Sequence, residues 1–143
     1  MARIFVYGTL RKGMYNYDQY LKDKQSFREY GYIKGKLMSL KGQKYPAFLL
    51  EGNGMILGEI HEVDDEFIKV LDVLESYFGE NNPNNEYHKI LLEVNHLNSN
   101  KKEKCYTYFY NADIDKDFNE KAVFISDGDW KNYMLNINKD SAK

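Results

Sequence analysis

The sequence predicts an α+β fold built on a curled sheet or small β-barrel with flanking helices, and three observations carry that prediction. Short β-branched and aromatic runs recur along most of the chain, separated by Gly- and Asn-rich turns. One segment near the middle, and no other, has strong helical periodicity. An alternating parallel βαβ sheet would need a helix between successive strands, so this pattern argues against it.

Taken in order, Arg3 to Tyr7 is an apolar run cut off by Gly8, and it reads as a buried first strand ending in the loop Gly8 to Gly13. From Tyr15 to Lys22 the spacing of Tyr17, Tyr20 and Leu21 suits a short amphipathic helix. Phe27 to Leu40 reads as a strand broken by Gly31 and Gly35. Tyr45 to Leu50 and Met55 to Val63 are two further strands, and Glu51-Gly52-Asn53-Gly54 between them is a hairpin signal. The clearest helix is expected from Asp65 to Phe78: Asp64 caps it, Asp65 and Glu66 suit the positive end of its dipole, and Gly79 stops it. Glu80 to Asn85 is a polar loop. Tyr87 to Leu97 and Glu103 to Tyr110 are strands joined by the turn Asn98 to Lys102. Gly128-Asp129-Trp130 introduces a short amphipathic piece ending near Leu135, and the polar tail after Asn136 is expected to fray. With no linker and no internal repeat, residues 1–143 are read as one domain.

Composition narrows the function. Hydrophobic residues make up 43% with only 2 Pro and 10 Gly, which sets aside collagen-like and disordered classes. Basic and acidic side chains number 20 and 22, a net charge of -2, so an electrostatic grip on nucleic acid or anionic lipid is not expected. No apolar stretch approaches the roughly 18 residues of a membrane helix, and no secretory leader is visible, so a cytoplasmic address is expected. The single Cys105 has no partner for a disulfide, and His61, His88 and His96 stand apart, so no metal site is expected. The partner is expected to be a small molecule.

Two features carry candidate chemistry. On a helix of about 100° per residue, Phe67, Leu71, Leu74 and Phe78 fall within about 60° and define the buried stripe. Glu75 falls about 40° beyond Leu71, between it and Ile68, and away from the face carrying Asp65, Lys69, Asp72 and Ser76. It therefore points to the core or a cleft. Burial without a cationic partner would raise its pKa toward the range of a general base; a boundary Glu that reaches solvent or meets a Lys is the plainer alternative. The second feature is the loop after the first strand, where Gly8 permits unusual backbone angles and the N–H groups of Gly8, Thr9 and Leu10 can converge on a carboxylate. An ordinary turn is again the plainer reading, and neither nucleotide-binding glycine pattern is present.

Val6-Tyr7-Gly8-Thr9-Leu10-Arg11-Lys12-Gly13 resembles the signature of the γ-glutamylcyclotransferase-like family. Further pieces follow in the family's order: Tyr45-Pro46-Ala47, Gly58-Glu59-Ile60, Leu71 to Tyr77, Tyr87, Tyr106-Thr107-Tyr108 and Gly128-Asp129-Trp130. The resemblance, from Ile4 to about Tyr133, implies a small mixed β-barrel flanked by helices, with a pocket between the first loop and the helix carrying the acid. It implies Glu75 as general acid/base and the loop Tyr7 to Leu10 as the holder of a γ-glutamyl group. The chain's length resembles the compact branch that includes γ-glutamylamine cyclotransferases. Two positions depart from the pattern, Ser76 where the family often has Gly and Lys89 where it often has Arg, and a Lys there would forgo a bidentate contact.

The implied reaction cyclises a γ-glutamyl amide to 5-oxoproline and a free amine, with no cofactor. Glu75 would move the proton, amides of Gly8 to Leu10 would fix the α-carboxylate or oxyanion, and Tyr7, Tyr87 or Tyr108 would orient substrate through their hydroxyls. Glu59, on a strand beside Gly58, is a rival carboxylate whose facing alternation leaves open. Cys105 reads as a packed thiol, Asp129-Trp130 as a packing closure, and Lys101, Lys102 and Lys104 as a solvated turn. The competing class is a non-catalytic small-molecule binder on the same fold. Another alternative is a different acyl-transfer reaction, including removal of a γ-glutamyl protecting group.

Overall fold

The computed structural model describes the backbone of residues 1–141, with side chains to residue 137. Strand β1 (Ala2–Val6) pairs antiparallel with β3 (Pro46–Val63) and parallel with β5 (Lys102–Tyr110). Strand β2 (Gln25–Leu40) runs antiparallel to β3, while β4 (Tyr87–His96) joins β5 on one side and β2 on the other. The order β3-β1-β5-β4-β2, with β2 pairing back to β3, closes five strands into a mixed barrel. Closure leaves none of the five as a free edge. A short β6 (Ala122–Phe124) adds to the far end of β2.

Three α-helical segments flank the barrel: α1 (Phe67–Leu74), α2 (Phe118–Lys121) and α3 (Trp130–Ser141). The first strand is buried on both faces. Phe5 points into the barrel with Ile33, Phe48, Ile56 and Trp130, whereas Ile4 and Val6 pack outward with Leu21, Val63, Ile68 and Leu71 under α1. That double burial is why β1 reads as a continuous apolar run instead of an alternating one. Trp130 is fully buried and plugs the barrel interior. Gly128, at φ 64, admits this closure: a Cβ there would lie 1.8 Å from the Met55 carbonyl oxygen, and its own carbonyl accepts from Leu57 N–H at 2.9 Å.

Several expected elements differ. Glu51 to Gly54 does not turn the chain back. Both flanking runs pair with β2, and the register passes from Lys36↔Leu49 to Gly35↔Gly54, so Leu50 to Asn53 form an expanded bulge in one long strand. The reversal lies between Leu40 and Pro46, around Gly42 at φ 80. Gly31 and Gly35 do not interrupt β2; they are paired positions within it. The segment after the first loop is a wider π-helical turn, Tyr17–Leu21. Helix α1 is shorter at both ends than expected, Asp64 makes no side-chain cap, and Phe78 is 64% exposed instead of buried, Ile68 taking its place on the stripe. Helix α3 continues past Leu135 to Ser141, and the tail's last two residues lie outside those described.

Candidate active site

The early end of α1 is what aims Glu75. Its helix is anchored by Leu71, fully buried, and Ile68. Ser76 then adopts φ 51, Ser76 N–H donates to Val73 O at 3.1 Å and Tyr77 N–H donates to Asp72 O at 2.8 Å. These are the paired bonds of a Schellman ending with Ser in the left-handed position that favours glycine, which gives the departure at Ser76 a physical meaning. Glu75 is the cap residue. Its carbonyl accepts from Tyr87 N–H at 3.3 Å and that of Ser76 from Glu86 N–H at 3.1 Å, tying the helix end to the start of β4.

The opposing wall is the loop after β1. Arg11 N–H closes a turn onto Gly8 O at 3.0 Å, Tyr17 N–H donates to Thr9 O at 3.1 Å, and Asn16 Nδ2 donates to Thr9 Oγ1 at 2.8 Å. Among the described residues, the N–H groups of Gly8, Thr9 and Leu10 donate to no protein acceptor. Gly8 lies outside the left-handed region, contrary to the expectation of unusual backbone angles. Its need is space: a Cβ would sit 2.8 Å from Cγ and Cδ of Pro46.

Between the two walls is a cavity of about 230 Å³. All seven residues singled out in the sequence line it: Glu75, Tyr7, Gly8, Thr9, Leu10, Tyr87 and Tyr108. The tyrosine hydroxyls are already engaged as donors. Tyr7 donates to Tyr108 O at 2.6 Å, Tyr87 to Pro46 O at 2.6 Å, and Tyr108 to Asp72 Oδ1 at 2.6 Å. What they offer a ligand is therefore ring surface and acceptor lone pairs. Lys89 does not line the cavity. Its ammonium sits 2.9 and 3.0 Å from the two oxygens of Asp72, so Lys reaches both carboxylate oxygens even without the fork of Arg, and it braces the carboxylate that holds Tyr108.

Burial pushes the Glu75 carboxyl up to about 8, and the charge of Glu86 adds to the rise. No hydrogen bond or cation offsets either cause. Burial also raises Glu86, with Lys121 pulling the other way. Tyr7 and Tyr87 are raised, first by burial.

Glu59 faces elsewhere. It is fully buried outside the cavity and accepts from Lys12 N–H at 2.9 Å, from His61 Nε2 at 3.0 Å and from Arg11 Nε at 3.4 Å. Burial alone would raise its pKa, but the hydrogen bonds from His61 and Lys12 and the charge of Arg11 outweigh it and the pKa is lowered. Arg11 also reaches Asp129 at 3.0 Å, so Asp129-Trp130 closes the fold while pinning the first loop. Burial drives Cys105 up to about 12, which leaves it a packed thiol. Among the described residues, no group of three or more His, Cys, Asp and Glu side chains could hold a metal ion, and no helix is long and apolar enough to cross a membrane.

The structure adds Tyr15, Asn16, Tyr45, Pro46 and Glu86 to the lining. Tyr45-Pro46 was visible as a family segment; Glu86 carried no local signal, because it sits at a loop-strand junction whose facing depends on where α1 ends.

Comparisons with known proteins give the family and the fold. Residues 4–132 match the family model described as gamma-glutamyl cyclotransferase, AIG2-like. The gamma-L-glutamyl-butirosin B gamma-glutamyl cyclotransferase of Niallia circulans is 38% identical over 135 residues, 94% of this chain and 79% of the relative. An AIG2-like protein from Mus musculus superposes with a TM-score of 0.64 at 29% identity over 76% of each chain. An uncharacterised protein from Pyrococcus horikoshii shares the fold, with a TM-score of 0.66 at 23% identity over 97% of this chain and 98% of that one. On the matched length and the shared barrel, the chain belongs to the gamma-glutamyl cyclotransferase, AIG2-like family.

Proposed function

We propose that the protein cyclises γ-glutamyl amides to 5-oxoproline and a free amine, without a cofactor, with Glu75 as the general acid and base. The observation that supports this reading is the carboxyl of Glu75, without a cationic partner and pushed up to about 8, in a cavity it shares with the free N–H groups of Gly8, Thr9 and Leu10.

The substrate brings its own nucleophile, the α-amine. Its nitrogen attacks the γ-carbonyl carbon, a C–N bond closes the five-membered ring, and the amide C–N bond to the departing amine breaks. Holding the flexible chain folded makes the attack intramolecular. Two protons leave the nucleophilic nitrogen between ammonium and lactam, and two reach the departing nitrogen as it becomes an ammonium; Glu75 carries them one at a time. The α-ammonium beside Glu75 supplies the cation that the cavity lining does not, and it draws the carboxyl back toward its ionised form for proton acceptance. The loop amides serve the α-carboxylate or the oxyanion that forms on the γ-carbonyl. Tyr7, Tyr87 and Tyr108 form the walls of the pocket. Removal of a γ-glutamyl group from a larger amine is the second reading, favoured by the butirosin-directed name of the Niallia circulans relative.

The test is a panel of γ-glutamyl amides, small and large, assayed for 5-oxoproline by mass spectrometry. Release of 5-oxoproline from at least one amide is expected. Binding of amides without any product would support a non-catalytic module instead.

A further inference from the structure

His61 lies outside the cavity, yet the hydrogen bonds around it run back to the loop that borders the cavity. Gly8 to Arg11 form one turn, closed by Arg11 N–H on Gly8 O at 3.0 Å, and the first three of these residues line the cavity. Arg11 itself is 7% exposed. Glu59 grips the chain at that point: its Oε1 accepts from Lys12 N–H at 2.9 Å and its Oε2 from Arg11 Nε at 3.4 Å. The position of the turn therefore depends on the position of the Glu59 carboxylate.

His61 fixes that carboxylate. The ring is fully buried on β3, where its residue pairs with Ile4 on one side and Phe27 on the other, and the Phe27 ring meets it edge-on at 5.6 Å. Its Nε2 lies 3.0 Å from Glu59 Oε1, and an ionised carboxylate only accepts, so Nε2 carries a proton and donates it. The other ring nitrogen, Nδ1, lies 2.6 Å from the side-chain amide of Gln25, at the start of β2. An amide can turn either its oxygen or its NH2 to the ring, so Gln25 orients the imidazole whether or not Nδ1 is protonated. Gln25 also bonds the hydroxyl of Tyr17 at 3.1 Å, and Tyr17 N–H donates to Thr9 O at 3.1 Å. The path Lys12–Glu59–His61–Gln25–Tyr17–Thr9 leaves the loop at one end and returns to it near the other.

A buried carboxylate deprived of one donor must move to find another. The cation within its reach, Arg11, is already shared with Asp129 at 3.0 Å, so any movement of Glu59 pulls on Arg11 and on the Lys12 amide. Resting on the cyclisation reading, we propose that His61 is a positioning residue for the reaction. By donating to Glu59, in an orientation set by Gln25, it holds the turn Gly8 to Arg11 so that the N–H groups of Gly8, Thr9 and Leu10 stay aimed at the substrate's carboxylate or oxyanion. Displacement of such a wall by a fraction of an ångström is felt in the rate, because the loop amides act through geometry fixed in advance.

The experiment measures kcat/KM against pH for a γ-glutamyl amide that the parent turns over, with circular dichroism at the assay temperature as the folding control. His61→Leu is expected to lower kcat/KM by about tenfold, the size of one lost hydrogen bond to a charged group, and to leave the inflection of Glu75 near 8 unmoved. His61→Gln, whose NH2 can donate to Glu59 while its oxygen accepts from Gln25, is expected to recover to within about threefold of the parent. Gln25→Leu, at a half-buried position, is expected to cost about threefold, the size of a neutral hydrogen bond. Parental kcat/KM in folded His61→Leu, no recovery in His61→Gln, or a displaced inflection would overturn the proposal while leaving cyclisation standing. If His61→Leu does not fold, Gln25→Leu decides, and parental kcat/KM there overturns the proposal. If the parent turns over no amide, the cyclisation reading fails, and calorimetric titration with γ-glutamylpentylamine still decides the clamp: affinity about tenfold weaker in His61→Leu supports it, and equal affinities or no binding by the parent overturn it.

Discussion

Glu59 binds the far end of the loop after β1 through Lys12 and Arg11, and Glu75 lines the cavity that the start of this loop borders; Glu59 is fully buried and Glu75 half-buried, yet their carboxyls have moved in opposite directions. Glu59 sits in a closed set of donors: His61, the Lys12 amide and Arg11 more than offset the cost of its burial. Glu75 has no such set, and burial together with Glu86 drives it to about 8. Burial is common to both; partnership decides the sign of the shift. A carboxylate with all its partners inside the protein holds structure, whereas one facing a cavity without them is left to interact with a ligand.

The sharpest way to break this comparison is to remove each charge in turn. Glu75→Gln keeps the volume of the side chain and loses its proton, so 5-oxoproline release is expected to fall by about 10²–10⁴-fold with the fold intact by circular dichroism. Parental turnover in a folded variant would sink the acid/base role. Glu59→Gln is expected to leave the proton chemistry in place and to destabilise the protein by about 3 kcal/mol, the lower end for a broken buried ion pair because Asp129 still faces Arg11. Denaturant unfolding reads that loss, and a large drop in kcat with stability unchanged would instead move the chemistry to β3.

The pH dependence of stability separates the same two residues. Between the ordinary 4.5 and about 8, the folded protein keeps a proton on Glu75 that the unfolded chain has released, so this carboxyl lowers stability progressively as pH rises through that window. The melting temperature of Glu75→Gln should therefore exceed that of the parent by a margin that widens from pH 4.5 to 8. Glu59, with a lowered pKa, contributes stability above its unfolded value and loses it as pH falls through its folded one, so the Glu59→Gln deficit should shrink in acid. A margin for Glu75→Gln that stays constant across the window would remove the contrast. The smallest effect concerns how Glu75 is aimed. Ser76→Gly relieves a left-handed Ser and should stabilise by about 1 kcal/mol in chemical denaturation, and a destabilised variant would mean the Ser side chain matters more than its φ.

Much of this site was legible from the amino-acid order because the relevant signals are local. The apolar run of β1 and the break at Gly8 mark the loop, and helical periodicity sets Glu75 beside Leu71, away from the face of Lys69 and Asp65, even though α1 ends earlier than its capping residues suggest. Such patterns report which face of an element is buried. They do not report what that face meets. The Gly-Asn-Gly segment signalled backbone freedom without revealing that both its flanks pair with β2, and alternation left Glu59 undecided between pocket and core. Bonds spanning the barrel settled those points: Lys12 to Glu59, Tyr87 to Pro46, and Tyr7 to Tyr108 across 101 positions of sequence. Barrel closure brings distant segments within hydrogen-bond range, and a carboxylate's partners, which determine its charge, exist only after that closure.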